Sequence, residues 1–365
     1  MKKLLSLMLA VLMLAALLTG CGTGSDTGDN TTPPADDKTA DVPQDDAQTP
    51  ADDTQAPDDG ASADTEEPVT IRIGGLKGPT SIGLVKLMED NETGESANTY
   101  DFTVAGAADE LTPMLVKGEL DIAAVPANLA SVLYNNTEGA VQLLAINTLG
   151  VVYITAKGEN ISSVSDLKGK TIYATGKGST PEYALRHILS KNGIDPDADV
   201  TLEWKSEPTE IVALLNESET GIAMLPQPYA TVAQTQVEGL EVVLNLTEEW
   251  SKVETSSLLI TGTLVVNREF AENHPKALAA FMEEYKASTE YVNANVADAA
   301  QLVEKFGLFK AAIAEKAIPL CNITFISGGD MKEPMEGYLG VLFEQNPKSV
   351  GGALPESDFY YEVQQ

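Results

Sequence analysis

The pattern of apolar and polar positions predicts strands that alternate with helices along most of the chain. Residues 69–76 (VTIRIGGL) alternate as a strand does, and residues 82–88 read as a helix. Between them lies a turn of five residues, Lys77, Gly78, Pro79, Thr80 and Ser81. Units of this kind predict an α/β fold with mostly parallel sheets that are flanked by helices.

The same order of elements returns one hundred residues later. Residues 170–175 (KTIYAT) predict a strand and residues 182–189 predict a helix, with a glycine-rich turn between them. Residues 121–130 (DIAAVPANLA) and 221–230 (GIAMLPQPYA) each predict a short strand that ends in a proline turn. Two such pairs at one spacing predict two similar lobes.

The four turns are candidate ligand contacts, because ligands of open α/β sheets bind beyond the carboxyl ends of the strands. If the two units face each other, the turns line one cleft. Besides the five residues of the first turn, the candidates are Pro126, Asn128, Asn147, Thr148, Lys177, Gly178, Ser179, Thr180, Gln227 and Tyr229. Asn147 and Thr148 belong here because they precede a predicted crossing between the lobes.

Glycine- and hydroxyl-rich turns that open helices expose backbone N–H groups, which favour an anionic or strongly polar ligand group. Two alternatives stay open from sequence. The hydroxyls of Thr80, Ser81, Ser179 and Thr180 are also suited to cap their own helices. Lys77 and Lys177 are equally typical of solvated surface charges. Trp204 and Trp250 fit either ring stacking on a solute or the edge of a core.

The N-terminus predicts export. Lys2 and Lys3 precede an apolar run at residues 4–18, which has the length of a signal-peptide core and is short for a membrane span. Residues 18–21 (LTGC) resemble the lipobox of bacterial lipoproteins, which implies removal of residues 1–20 and a lipid on Cys21. Such a lipid anchors a protein to the outer face of the cell membrane. A plain secretory signal with an incidental cysteine is the alternative.

Composition separates a linker from a folded body. Residues 22–67 contain 14 acidic residues and one lysine, so residues 21–68 are predicted to be a lipidated cysteine and a disordered acidic spacer. Of the formal net charge of −32, about −21 falls on residues 68–365, which argues against nucleic acid as a partner. With Cys21 acylated, only Cys321 remains, so an intrachain disulfide is excluded.

Motifs for catalysis are missing from the sequence. The two histidines, His187 and His274, lie in a predicted helix and before a proline, which suits neither a metal ligand nor a general base. The glycine-rich turns differ from the P-loop and the dinucleotide fingerprint, and no nucleophile elbow occurs. The sequence therefore predicts a protein without enzymatic activity, cofactor or metal.

Several segments resemble one family in order and spacing. Residues 165–170 (SDLKGK), 225–230 (LPQPYA) and 264–271 (LVVNREFA) are similar to solute-binding lipoproteins of ABC importers. The nearest branch is the nitrate, sulfonate, taurine and thiamine-pyrimidine group, with the type II periplasmic-binding-protein fold. One departure is Gln227, where the family often has glutamate.

The resemblance implies lobe one at residues 69–150 and 262–365, and lobe two at residues 151–261. Two strand crossings join the lobes, near residues 149–156 and 258–266, and residues 281–306 form helices of lobe one. It further implies a monomer that captures a small polar or anionic organic solute by hinge closure and delivers it to a membrane permease. A surface-anchored sensor or interaction protein on the same scaffold is the alternative, and an enzyme of related fold is a weaker one.

Overall fold

The computed structural model describes residues 69–362. The predicted signal peptide, the lipidation site Cys21 and the acidic spacer to residue 68 lie outside the described residues. Within the part that is described, no helix is both long enough and apolar enough to cross a bilayer.

Strands of the two predicted sheets recur along the described chain. They are β1 Thr70–Leu76, β2 Thr99–Ala105, β3 Ile122–Pro126, β4 Val141–Leu149, β5 Val152–Lys157, β6 Thr171–Ala174, β7 Thr201–Trp204, β8 Gly221–Pro226, β9 Leu240–Asn245, β10 Ile260–Asn267 and β11 Ile323–Ser327. The predicted strands at 69–76 and 170–175 correspond to β1 and β6.

Helices connect most of these strands. They are α1 Pro79–Ile82, α2 Val85–Thr93, α3 Ala108–Val116, α4 Ala127–Asn136, α5 Thr180–Lys191, α6 Pro208–Glu217, α7 Tyr229–Gln236, α8 Leu246–Val253, α9 Arg268–Asn273, α10 Pro275–Ala294, α11 Val296–Lys305, α12 Ala311–Ala317 and α13 Gly329–Gln345. The helix predicted at 82–88 is two helices, and the first begins at Pro79 because proline suits the first helical position.

The predicted α/β architecture is confirmed, although the sheets are mixed rather than mostly parallel. The six-stranded sheet has the order β11-β4-β10-β3-β1-β2 and the five-stranded sheet the order β7-β6-β8-β5-β9. β1 is parallel to β2 and β3, and β6 is parallel to β7 and β8. β10 and β5 run antiparallel to their neighbours.

The antiparallel strands follow from how the chain crosses between the sheets. Val152, the first residue of β5, pairs with Pro226, the last residue of β8. Gly262, near the start of β10, pairs with Pro126, the last residue of β3. Each crossing therefore reaches its new sheet at the edge where parallel strands end and must run back across it. We call the parts around the six- and five-stranded sheets lobe one and lobe two; their residue boundaries stay a prediction.

The segment after β11 contacts both lobes. The buried face of α13 consists of Met331, Met335, Tyr338, Leu339 and Leu342, which share an apolar cluster with Leu185, Ile188 and Trp250 of lobe two. The short helical turn Pro347–Val350 then packs on α4 of lobe one, where Ser131 Oγ donates to the Val350 carbonyl at 2.8 Å. The C-terminal segment thus fastens the two lobes together.

His187 of α5 lies in the lobe-two core beside this segment. Its Nε2 is 2.7 Å from Glu254 Oε1, and its ring centroid is 4.9 Å from that of Trp250. Burial lowers the pKa of His187 and the charge of Lys191 lowers it further, while Glu254 and Glu344 oppose the shift. The folded protein therefore favours the neutral imidazole.

We expect acid to destabilise the protein through His187. Because its pKa is lower in the folded state, the unfolded chain binds the proton first, and stability falls as the pH drops below the unfolded value of about 6.5. Urea unfolding at several pH values between about 7.5 and 5.5 measures the slope. His187→Gln, which keeps a polar group near Glu254, should flatten it. An unchanged slope would rule out this histidine as the cause.

Candidate functional site

The carboxyl edges of the parallel strands in the two sheets meet at the crossings. β4 ends at Leu149 and β5 begins at Val152, so two residues join the sheets. Gln227, just beyond β8, donates its backbone N–H to the Val151 carbonyl at 2.9 Å. Helix α1, beyond β1, contacts β3 and β4 of the same sheet. The predicted turns of both lobes therefore lie at this edge, which we call the cleft edge.

The first turn is mostly buried. Lys77 is exposed, while Gly78, Pro79, Thr80 and Ser81 are buried. The Gly78 carbonyl accepts the N–H groups of Ser81 and Ile82 at 3.1 and 3.0 Å. Thr80 Oγ1 donates to the Leu76 carbonyl at 3.2 Å, so it does not cap its helix. Ser81 Oγ is buried without a hydrogen-bond partner among the described residues.

The second turn already has an anion of its own. The N–H of Gly178 donates to Glu182 Oε2 at 2.6 Å, and Glu182 pairs with Arg186 at 2.8 Å. Lys177 and Gly178 are exposed, and Ser179 is half-buried without a side-chain cap hydrogen bond. The N-terminus of α5 therefore has fewer free N–H donors for an anionic ligand than the sequence predicts.

Thr180 and Asn128 connect the lobes. Thr180 Oγ1 donates to Asn128 Oδ1 at 3.3 Å and accepts from Tyr338 OH at 3.0 Å. Asn128 Nδ2 donates to the carbonyl oxygens of Gly178 at 3.4 Å and Ser349 at 3.0 Å. These two candidates hold the cleft edge together, so the cleft is closed at this point.

The second proline turn buries the Gln227 side chain and brings the Tyr229 ring into contact with lobe one. Gln227 is 1% exposed, and its Oε1 accepts from Thr231 Oγ1 at 2.8 Å and Thr231 N at 3.3 Å. Its Nε2 has no partner in the described structure. The half-buried Tyr229 ring lies edge-on to Phe309 of lobe one, with centroids 5.3 Å apart. Pro126 is half-buried and immediately precedes α4.

Asn147 and Thr148 are buried beside the first crossing. Thr148 Oγ1 donates to Asn147 Oδ1 at 3.1 Å, which leaves Asn147 Nδ2 without a partner in the residues described. Burial raises the pKa of Tyr285, and the neighbouring Asn147 side chain opposes the rise.

Sequence reasoning missed Tyr285, because it lies at helical spacing with Phe281 and reads as core. Its ring does pack in the core, with centroids 5.8 Å from those of Phe281 and Phe325. Its hydroxyl lies near Gly83 and Asn147 at the cleft edge. Periodicity locates the ring of a tyrosine but gives no signal for where the hydroxyl points.

Five buried side-chain polar atoms of the described residues lack a hydrogen-bond partner. One is Thr247 Oγ1, which lies beside Gly150 of the first crossing. We call the other four the donor set; they are Ser81 Oγ, Asn147 Nδ2, Gln227 Nε2 and Tyr285 OH. Each parent side chain is at most 1% exposed, and the set comes from both lobes. A buried polar group without a hydrogen bond costs about 1–3 kcal/mol, so such groups need an explanation.

Other candidates lie elsewhere. Trp250 is fully buried and its Nε1 donates to the Ser257 carbonyl at 3.1 Å, while Trp204 packs against the same apolar cluster.

Two surface cavities lie apart from the cleft edge. One of about 410 Å³ surrounds Arg268 and Asp358, and one of about 300 Å³ lies between α6 and α7. Among the described residues no cluster of three His, Cys, Asp or Glu side chains is arranged to hold a metal.

Comparison with known sequences gives one family. Residues 138–299 match the NMT1/THI5-like family. This match, which includes the second strand-turn-helix unit, β10 and α10, confirms the resemblance predicted from sequence. Comparison with curated protein sequences finds no match.

Solved structures share the fold over most of the chain. An ABC transporter structure from Parabacteroides distasonis has a TM-score of 0.68 at 23% identity, covering 81% of this chain and 99% of that one. The periplasmic aliphatic sulphonate binding protein SsuA from Escherichia coli has a TM-score of 0.66 at 17% identity, covering 82% and 94%. The periplasmic nitrate-binding protein NrtA from Synechocystis PCC 6803 has a TM-score of 0.51 at 13% identity, covering 65% of this chain and 66% of that one. At these identities the likeness establishes the fold.

The contact between Tyr338 and Thr180 is testable. Tyr338→Phe removes only the hydroxyl that donates to Thr180 across the lobes, and we expect the free energy of unfolding to fall by about 1 kcal/mol. Urea unfolding measures the change. Tyr183→Phe, a half-buried tyrosine on α5, is the matched control and should change stability by less than about 0.5 kcal/mol. Equal losses of unfolding free energy in both variants would show that the contact between Tyr338 and Thr180 does not stabilise the protein.

Proposed function

We propose that this protein is the extracytoplasmic solute-binding component of an ABC importer. The observation that carries the proposal is the donor set, four buried polar atoms contributed by both lobes at the cleft edge. Support comes from the family match over residues 138–299 and from the fold shared with an aliphatic sulphonate binding protein and a nitrate-binding protein.

The mechanism we propose is hinge closure over a small polar solute. Two strand crossings near residues 149–156 and 258–266 join the lobes, and lobe one takes residues 69–150 and 262–365 while lobe two takes 151–261. A solute that bonds to Gln227 of lobe two and to Ser81, Asn147 and Tyr285 of lobe one interacts best with the closed form. That difference in affinity shifts the population toward closure. A membrane permease then recognises the closed shape.

The N-terminal segment fits this role. A lipid on Cys21 anchors the protein to the outer face of the membrane, and the acidic segment at residues 22–67 links the lipidated cysteine to the folded body. The folded body acts as a monomer, and its function is capture and delivery rather than turnover.

Solute binding should stabilise the protein and depend on the donor set. A solute at one hundred times its Kd adds about 2.7 kcal/mol to the free energy of unfolding. Thermal unfolding against a panel of small sulfonates, carboxylates, amides and pyrimidines reveals such a solute as a rise in Tm. Asn147→Ala should weaken its binding by tenfold or more in calorimetry. Silence across a broad panel would favour a sensor or interaction protein on the same scaffold.

Lipidation is tested separately. Cys21→Ser should abolish incorporation of labelled palmitate and move the protein from the membrane fraction to the soluble extracytoplasmic fraction. Cys321→Ser is the matched control, because Cys321 is fully buried in lobe one and should leave the membrane association unchanged. If the Cys21→Ser protein still carries the label, the anchor lies elsewhere.

A further inference from the structure

The C-terminal segment, residues 329–361, lies against lobe two through α13. Tyr338 belongs to the buried face of this helix, and its ring centroid is 5.8 Å from that of Trp250 in lobe two. Its neighbour Gly337 approaches the chain that leads out of lobe two, because a Cβ on Gly337 would lie 3.2 Å from the Ser256 carbonyl oxygen. α13 therefore packs directly on lobe two.

The end of the same segment is bound to lobe one. Asn135 Nδ2 of α4 donates to the carbonyl oxygens of Val350 and Ala353, both at 2.8 Å. The N–H of Tyr361 donates to the Leu143 carbonyl of β4 at 2.9 Å. The segment is thus fixed both to a helix and to the sheet of lobe one.

A buried polar network, which we call the hub, lies between these two anchors. It consists of Asn128 of lobe one, Thr180 of lobe two, and Tyr338 and Ser349 of the C-terminal segment, and each is at most 2% exposed. Asn128 Oδ1 accepts from Thr180, and its Nδ2 donates to the carbonyl oxygens of Gly178 and Ser349. None of the four side chains is among the described buried groups that lack a hydrogen-bond partner. Asn128 and Thr180 therefore need no solute to satisfy them.

The outer end of the cleft edge behaves differently. β2 and β7 are edge strands of the two sheets, and the turns that follow them meet there. A Cβ on Gly106 of lobe one would lie 3.5 Å from Glu110 Oε1 and 3.6 Å from Glu207 Oε1 of lobe two. Two exposed carboxylates of opposite lobes thus face the same backbone position, and their like charges repel. Contacts elsewhere between the lobes must outweigh this repulsion, and the hub supplies such contacts.

We infer that the C-terminal segment and the hub act as a latch that keeps the lobes together before a solute binds. Opening the cleft breaks the hydrogen bonds of the hub and uncovers the apolar face of α13, and both changes are unfavourable in water. Asn128 and Thr180, which the sequence predicts as solute contacts, serve the latch instead. The inference concerns the protein before it binds a solute, so it can fail while the proposed function stands.

The distance between the lobes in the full-length chain tests the latch. Asp109→Cys on α3 and Ala213→Cys on α6 place spin labels at exposed positions of opposite lobes. The background is Cys21→Ser, in which the remaining Cys321 is buried. After refolding from urea to remove small molecules, pulsed electron paramagnetic resonance should show the distance of the joined lobes as the main population. A main population at a longer distance would overturn the inference.

The labelling rate of a thiol in the hub measures rare release of the latch. Ser349→Cys is buried while the latch is closed, so a thiol reagent labels it in proportion to the released population. Cys321, which is fully buried in lobe one, reports global unfolding in the same molecule. We expect Ser349→Cys to be labelled at least tenfold faster than Cys321. Equal rates for the two thiols would show that the latch opens only when the whole protein unfolds.

Thr180→Val connects this release to the hub. It removes the hydroxyl that Asn128 and Tyr338 share and should speed labelling of Ser349→Cys threefold or more relative to labelling of Cys321. Thr155→Val is the matched control, because Thr155 is equally buried and its Oγ1 donates to a carbonyl within lobe two at 3.3 Å. It should leave the ratio of the two rates unchanged.

Two further variants keep the test decisive if Thr180→Val does not fold. Thr180→Ser keeps the hydroxyl and should retain the wild-type ratio of labelling rates. Tyr338→Phe removes only the hydroxyl that donates to Thr180 and should raise the ratio twofold or more. Urea unfolding shows whether each variant is folded. An unchanged ratio in every folded variant that lacks a hub hydroxyl would show that the hub does not hold the lobes together.

Discussion

The pairing of β5 with β8 and of β10 with β3 determines where the ligand-facing turns of both sheets lie. Because Val152 pairs with Pro226 and Gly262 with Pro126, both crossings join the sheets at the edges where the parallel strands end. The turns that follow β1, β3, β6 and β8 are thereby brought toward one another. Had the crossings entered at the opposite edges, the same turns would lie at the far ends of the two lobes.

Close packing at the crossings leaves little room for change. A Cβ on Gly262 would lie 2.6 Å from Asn147 Oδ1 and 3.0 Å from Thr148, so a larger residue there would displace the asparagine of the donor set. Gly75 plays a similar part, since a Cβ on it would lie 2.4 Å from Ser81 Oγ. Asn147 and Ser81 therefore depend on glycines of β10 and β1, because a methyl group at either position would occupy their space.

Two features of the packing meet near the cleft edge. α13 and the segment behind it contact lobe two through apolar side chains and lobe one through hydrogen bonds to α4. The donor set adds a requirement for a polar partner, because buried donors without acceptors are costly.

The sequence by itself determined the order of elements, the position of the turns and the resemblance that the match to the NMT1/THI5-like family over residues 138–299 bears out. The strand at 170–175 and the helix at 182–189 occur as β6 and α5, because periodicity reports which face of an element is apolar. Tertiary structure alone decided that β5 and β10 run antiparallel, that Glu182 occupies the Gly178 N–H, and that the Tyr285 hydroxyl reaches the cleft edge. These depend on contacts between segments far apart in the chain, which local patterns of residues do not encode.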